Sequence, residues 1–462
     1  MTTTRVHDVQ AWLEEHLPRL VAARGVPGAS AAVLVDGEIA AVAAGLTSVA
    51  TQVEADTETV FQIGSVTKLW TSALVMQLVD DGLVDLDQPL RTYLPEFTIG
   101  DEAASAAITT RQLLCHTAGF EGDIFTDTGR GDDAVEKYLA SIRDIPQLVE
   151  PGEVFSYNNT GFVVLGRLIE VLRGKPFDEV LVERLAAPLG LTSVSPSPYE
   201  AILRRAAVGH VPGEDGAPEA APTWALARSN APAGSMLAMT PTDLVGFARM
   251  HLAGGTAPDG SVVLQPATVA AMQSKQVKVP ELALMGGYWG LGWEMDEYDG
   301  VRVIGHDGGT IGQAAFFRVV PDAEVAIALL TNGGDFLGLY GDVVGHLLAE
   351  LAGVALPGAK VPPQVPQPFD AAPYLGHYAD TIYDITVSQR EDGTVWLDRV
   401  PQDIIAEIGE KPLQVQLVHL EGDSLISLDQ YYGLHPIFAF VGRNDEGLAK
   451  YVHYGRVVAR VD

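Results

Sequence analysis

A single cysteine, Cys115, stands in 462 residues. One thiol can form no disulfide within the chain and no cysteine cluster for a structural metal, so neither device is expected to hold the fold together. Positive charge is scarce as well: 29 Lys and Arg face 60 Asp and Glu, a formal net charge of −31. That balance repels phosphate backbones and anionic headgroups, which excludes nucleic acid and membrane surfaces as expected partners. No apolar run approaches the roughly 20 residues of a membrane span. The opening MTTTRVHDVQAWLEEHLPRL lacks the apolar centre of a signal peptide. The expectation is a soluble, cytoplasmic protein. Internal repeats are absent, and so are K-T-G and the G-x-S-x-G of α/β-hydrolases.

What is present is enough apolar residue, 47%, for a large core and more than one domain. In the opening segment Val6, Val9, Leu13, Leu17 and Leu20 recur at helical spacing. Val26 to Leu46 gives two apolar runs around Asp36-Gly37, a hairpin pattern. Helical patterning follows Ser65. Between Val301 and Gly334, VRVIGHDG, QAAFFRVVPD and EVAIALLTNGG read as three successive strands, with a closing helix in LYGDVVGHLLAELAG. Strands at both ends with helices between predict an α+β domain: an antiparallel sheet flanked by helices and carrying an inserted helical region, over residues 1–356. LPGAKVPPQVPQPFD holds five prolines and marks a linker at 357–369. From 370 to 462 the strands are short, alternating and divided by turn residues, which predicts a small antiparallel all-β barrel domain.

Chemistry concentrates in three places. Ser65-Val66-Thr67-Lys68 is the one S-x-x-K of the chain. On a helix the two side chains share a face, so an amine that loses its proton could activate the hydroxyl, and a serine at a helix N-terminus also offers its N–H to an oxyanion. A plain helix start with a solvated lysine is equally compatible with these four residues. Tyr157-Asn158-Asn159 is the one Y-x-N. A tyrosinate held by a cation such as Lys68 could serve as base, whereas the bland reading is a capping Asn beside a half-buried Tyr. His306-Asp307-Gly308-Gly309 lies in the strand region, where a small residue lets a substrate backbone approach. A second H-x-G, His453-Tyr454-Gly455, occurs near the C-terminus.

In order and spacing, together with LLCHTAGF, PGEVFSYNN, APAGSMLAMTPTDL and LLTNGG, these stretches resemble the penicillin-recognising serine hydrolases related to class C β-lactamases. That group includes DD-peptidases, D-aminopeptidases and a branch of carboxylesterases. The resemblance spans roughly residues 5–355, and the added β-domain resembles the lipocalin-like module of some members. It implies a β-lactamase/transpeptidase-like fold and a serine enzyme without cofactor or metal. Ser65 would attack a carbonyl, Lys68 and Tyr157 would share the proton, and Asn159 would orient substrate or Lys68. Backbone N–H groups of Ser65 and Gly309 would form the oxyanion hole, with His306 on the third wall and Gly308 against the substrate. His306 in place of the lysine of K-T-G points to peptidases and esterases rather than to antibiotic hydrolysis.

The implied substrate is an amide or ester of a small molecule or peptide, including one that contains a D-amino acid. An alternative is a thioesterase that releases and cyclises nonribosomal peptides, with a peptidyl carrier protein as partner. An alternative of another class is a non-catalytic sensor on the same fold. In the loop FEGDIFTDTGRGDD, Glu121, Asp123 and Asp127 are candidates to meet a substrate amine.

Overall fold

The computed structural model describes residues 5–282, 285–402, 411–431 and 433–462. A nine-stranded antiparallel sheet organises the first domain. The turn at Asp36 and Gly37 takes positive φ at both residues, 54° and 77°, as a two-residue hairpin linking Gly28–Val35 to Glu38–Ser48 requires. The strand Gly28–Val35 then pairs with Val325–Thr331 (Ala29 with Thr331), which stitches the two ends of the domain together. Val301–Thr310, Gln313–Val320 and Val325–Thr331 follow one another by hairpins, as the sequence pattern predicts.

Both faces of the central strands are covered. Ala29, Ala31 and Val33 pack beneath the terminal helices, while Ala32 and Leu34 face the inserted helical region. This two-sided burial explains why the strands read as continuous apolar runs rather than strict alternations. The opening helix Arg5–Ala23 buries Val6, Val9, Leu13, Leu17 and Val21. Val21 replaces the expected Leu20, because four residues beyond Leu17 is closer to a whole turn than three. Among the described residues no helix is long and apolar enough to cross a membrane.

After Gly353 the chain runs without regular structure to a closed barrel of eight antiparallel strands, from Gly376–Ala379 to Val457–Arg460. Tyr378, Ile385, Leu397, Val415, Phe438 and Val452 belong to the core that fills it. The barrel docks on the first domain through Val149 and Val154 against Val457, close to the Y-x-N loop.

Candidate active site

Ser65 lies in a tight 3₁₀ turn, Gly64–Val66, that leads straight into the helix Thr67–Asp80. Lys68, one turn on, points back: its Nζ donates to Ser65 Oγ at 2.9 Å and to the Ala233 carbonyl at 2.7 Å. Every residue of this helix from Thr67 to Leu78 is buried, and Lys68 is 0% exposed. No carboxylate pairs with it among the described residues. Burial first, and the positive charge of Arg456 second, hold its pKa well below the usual lysine value, against a smaller opposing pull from Asp123. A buried amine so placed gives up its proton readily and can take one from the hydroxyl it touches.

Tyr157 precedes the helix Asn159–Arg173, which Asn158, not Asn159, caps by accepting from Gly161 N–H. The Tyr157 hydroxyl lies close enough to Ser65 for that side chain to lower its pKa, and Lys68 Nζ stands 5.0 Å from its ring centroid. The sequence expectation of a tyrosinate is not met. Burial raises the Tyr157 pKa and outweighs the lowering by Ser65 and Arg456, so the group is a phenol. His306, 2% exposed, donates from Nδ1 to the Asp307 carbonyl at 2.6 Å, which leaves Nε2 unprotonated. Its pKa falls to about 3, through burial and then the charge of Lys68, so the ring is neutral.

The strand Val301–Thr310 comes edge-on against the serine turn. A Cβ on Gly308 would fall 1.9 Å from the Ile63 carbonyl oxygen and 3.1 Å from Ser65 N, and one on Gly64 would fall 2.6 Å from Gly309 N. Only glycine permits this approach, which brings the two expected oxyanion N–H groups together. Gly308→Ala is expected to wedge strand and turn apart and to slow acylation of Ser65 at least ~10-fold. A burst experiment with an activated ester checks it, and an unchanged burst would mean that the oxyanion donors do not depend on this contact.

The acidic loop takes a different place from the one expected. Asp123 accepts from Asn159 Nδ2 at 2.6 Å and forms an ion pair with Arg456 of the barrel. Glu121 is buried and accepts from Thr381 Oγ1 at 2.8 Å, and Asp127 accepts from Gly129 N–H. Glu121 and Asp123 are thus occupied by the second domain, and neither lines the cleft that holds Ser65. Asn159 turns to Asp123 rather than to Lys68.

Sequence reasoning passed over Arg456, whose guanidinium carbon lies 4.9 Å from the Tyr157 ring centroid. The signal was there: the second H-x-G precedes it directly. Tyr157 N–H donates to the Gly455 carbonyl at 3.0 Å, and His453 Nε2 meets the Phe155 carbonyl at 2.7 Å. His116 of LLCHTAGF also joins the site. Its ring sits 4.4 Å from that of Tyr157 and its Nδ1 accepts from Asn158 N–H at 3.0 Å, which braces the same loop. The resulting cleft, about 680 Å³, is lined by Ser65, Tyr157, Trp289, His306, Gly308 and Gly309 among others.

A family model described as Beta-lactamase matches residues 13–343. The chain belongs to that family. Within it, penicillin-binding protein 4 of Amycolatopsis lactamdurans is 43% identical over 368 residues, which span 79% of this chain and 96% of that protein. The crystal structure of SurE matches with a TM-score of 0.79 at 31% identity, over 99% of both chains, barrel included. A SurE structure with D-Leu matches at 0.77 and 30%. A D-stereospecific amidohydrolase from Streptomyces sp. matches at 0.57 and 25% identity, over 75% of this beta-lactamase-family chain and 99% of its own.

Proposed function

We propose that this protein transfers acyl groups through an ester formed on Ser65. The observation that carries the reading is the 2.9 Å hydrogen bond between Ser65 Oγ and a wholly buried Lys68 that has no carboxylate partner among the described residues. In this reaction the Lys68 amine takes the hydroxyl proton as Oγ attacks the carbonyl. The N–H groups of Ser65 and Gly309 hold the oxyanion, and the Tyr157 phenol protonates the leaving group while recovering its proton from Lys68. His306, neutral and anchored at Nδ1, forms the wall beside them. Asn159, Asp123 and Arg456 fix the loop that carries Tyr157.

The acyl group is proposed to end in a D-configured residue, in line with the D-Leu of the SurE structure and the D-stereospecificity named for the Streptomyces amidohydrolase. Water as acceptor makes the protein a peptidase or esterase. A second reading, cyclising release of a peptide thioester from a carrier protein, is favoured by a cleft that continues well beyond Ser65 and by the end-to-end match to SurE. Matched D- and L-terminated peptidyl thioesters, followed by intact-protein and product mass spectrometry, test both. The D-terminated donor is expected to add one acyl group to the parent protein and none to Ser65→Ala. An adduct on the alanine variant would refute Ser65 as the nucleophile. Linear acid as product supports hydrolysis, and cyclic product supports the second reading.

A further inference from the structure

The cleft does not stop at Ser65. Its lining also includes Met285, Trp289, Glu294, Asp307, Phe316 and Phe336, which form an arm of the cleft. Glu294 opens the strand Glu294–Tyr298 and lies opposite both Gly305 and Trp289 in register. Its neighbour Met295 enters the core on one face of the sheet. Alternation therefore sends Glu294 to the other face, the face of Asp307 and Arg318. Trp289 ties this arm to the reacting groups, since its ring lies 5.3 Å from that of His306 and 5.8 Å from that of Tyr157.

The charges of the arm do not balance. Arg318 is committed to Asp307 through two hydrogen bonds, at 2.5 and 3.0 Å. Asp296 adds a further negative charge, and Glu294 makes no ion pair among the described residues, feeling Arg318 only at longer range. A carboxyl group that lines this cleft, with the backbone of Gly286 beside it and no ion-pair partner among the described residues, is fitted to receive a cation from outside. Burial, and then repulsion from Asp307, push its pKa up to about 8 against the smaller opposing pull of Arg318, which suits it to exchange a proton with an amine near neutrality.

We propose that Glu294 receives the acyl acceptor, a primary amine flanked by an apolar side chain, such as the α-amine at the start of a peptide. The proposal rests on the Ser65 acyl-enzyme. The arriving ammonium pairs with the Glu294 carboxylate and leaves one proton on it. The neutral nitrogen then bonds to the ester carbon, the bond from that carbon to Ser65 Oγ breaks, and a second amine proton passes through Tyr157 and Lys68 to Oγ. The products are an amide, a free Ser65 and a protonated Glu294.

The test uses the full chain, a D-terminated peptidyl thioester as donor and leucinamide as acceptor, with intact mass reporting the adduct and product mass reporting aminolysis against hydrolysis. In Glu294→Gln the adduct is expected to form within about twofold of the parent rate, while the leucinamide concentration for half-maximal aminolysis rises roughly 10- to 100-fold. Glu294→Asp is expected to recover part of that loss. Unchanged aminolysis in Glu294→Gln, or acylation and aminolysis falling together, would overturn the proposal. So would a parent adduct that leucinamide never captures. Absence of any parent adduct would instead remove the Ser65 reading, and this proposal with it.

Discussion

Arg456→Met is expected to cost this protein most of the proposed acyl-transfer activity, although residue 456 belongs to the barrel and lies beyond the residues 13–343 that the family model matches. The guanidinium holds Asp123, which holds Asn159 at the start of the helix behind Tyr157. Methionine keeps much of the apolar stem and removes the charge, so Asp123 is left nearly buried with one partner fewer. Breaking a fully buried pair costs roughly 3–5 kcal/mol. The side chains of Asp123 and Arg456 are 12% and 30% exposed, so solvent screening lowers the expected loss. About 2 kcal/mol is the expectation here. The double variant Asp123→Asn/Arg456→Met should regain part of that stability, since no charge is then stranded.

The kinetic consequence separates an electrostatic role from scaffolding. The positive charge of Arg456 lowers the pKa of Lys68 and that of Tyr157, second to burial for Lys68 and after burial and the Ser65 side chain for Tyr157. Its removal raises both, so the rise of acylation rate with pH should move to higher pH in Arg456→Met. A pH–rate profile of the burst with an activated ester measures this. A profile that keeps its midpoint and falls only in amplitude would mean that Arg456 braces the loop and does not tune the proton transfer.

Why was this residue not legible in the sequence when Ser65, Lys68 and Tyr157 were? Ser65 and Lys68 stand one helical turn apart, which puts both side chains on one face, and Tyr157 is reached through the family resemblance that the three motifs carry together. Arg456 reaches Asp123 across 333 positions, through the docking of a barrel whose orientation no local pattern encodes. The same reason misplaced Asp123 and Glu121. An acidic loop beside a site reads as a receptor for a substrate amine until the partner supplied by the second domain is known. The strands, by contrast, were legible because Asp36-Gly37 and the runs from Val301 to Gly334 carry their own turn chemistry and periodicity. The phenolic state of Tyr157 was hidden for another cause. Its pKa depends on how much protein covers it, and a sequence shows the cations that could lower that value but not the burial that wins.

Lys68→Met should abolish acylation and leave a protein at least as stable as the parent. On the proposed reaction, loss of the general base lowers the rate by ~10² to 10⁴. Stability moves the other way because the structure maintains an amine in a dry position, where Ser65 Oγ and the Ala233 carbonyl are its hydrogen-bond partners among the described residues. A methionine of similar length removes the desolvation cost and strands one carbonyl acceptor, which offsets part of the gain. The pH dependence fixes the sign. Since the folded-state pKa of Lys68 lies below the unfolded value, the unfolded chain binds more protons between the two, and parent stability rises with pH through that window. The advantage of Lys68→Met is therefore largest at low pH, shrinks as the folded amine loses its proton, and is least above the unfolded lysine value near 10.4. Thermal unfolding of both proteins from pH 6 to 10.5 reads this convergence. A variant less stable than the parent at pH 6 would mean that Lys68 binds its two oxygens more strongly than burial opposes it, and that the amine is held charged rather than ready to act as a base.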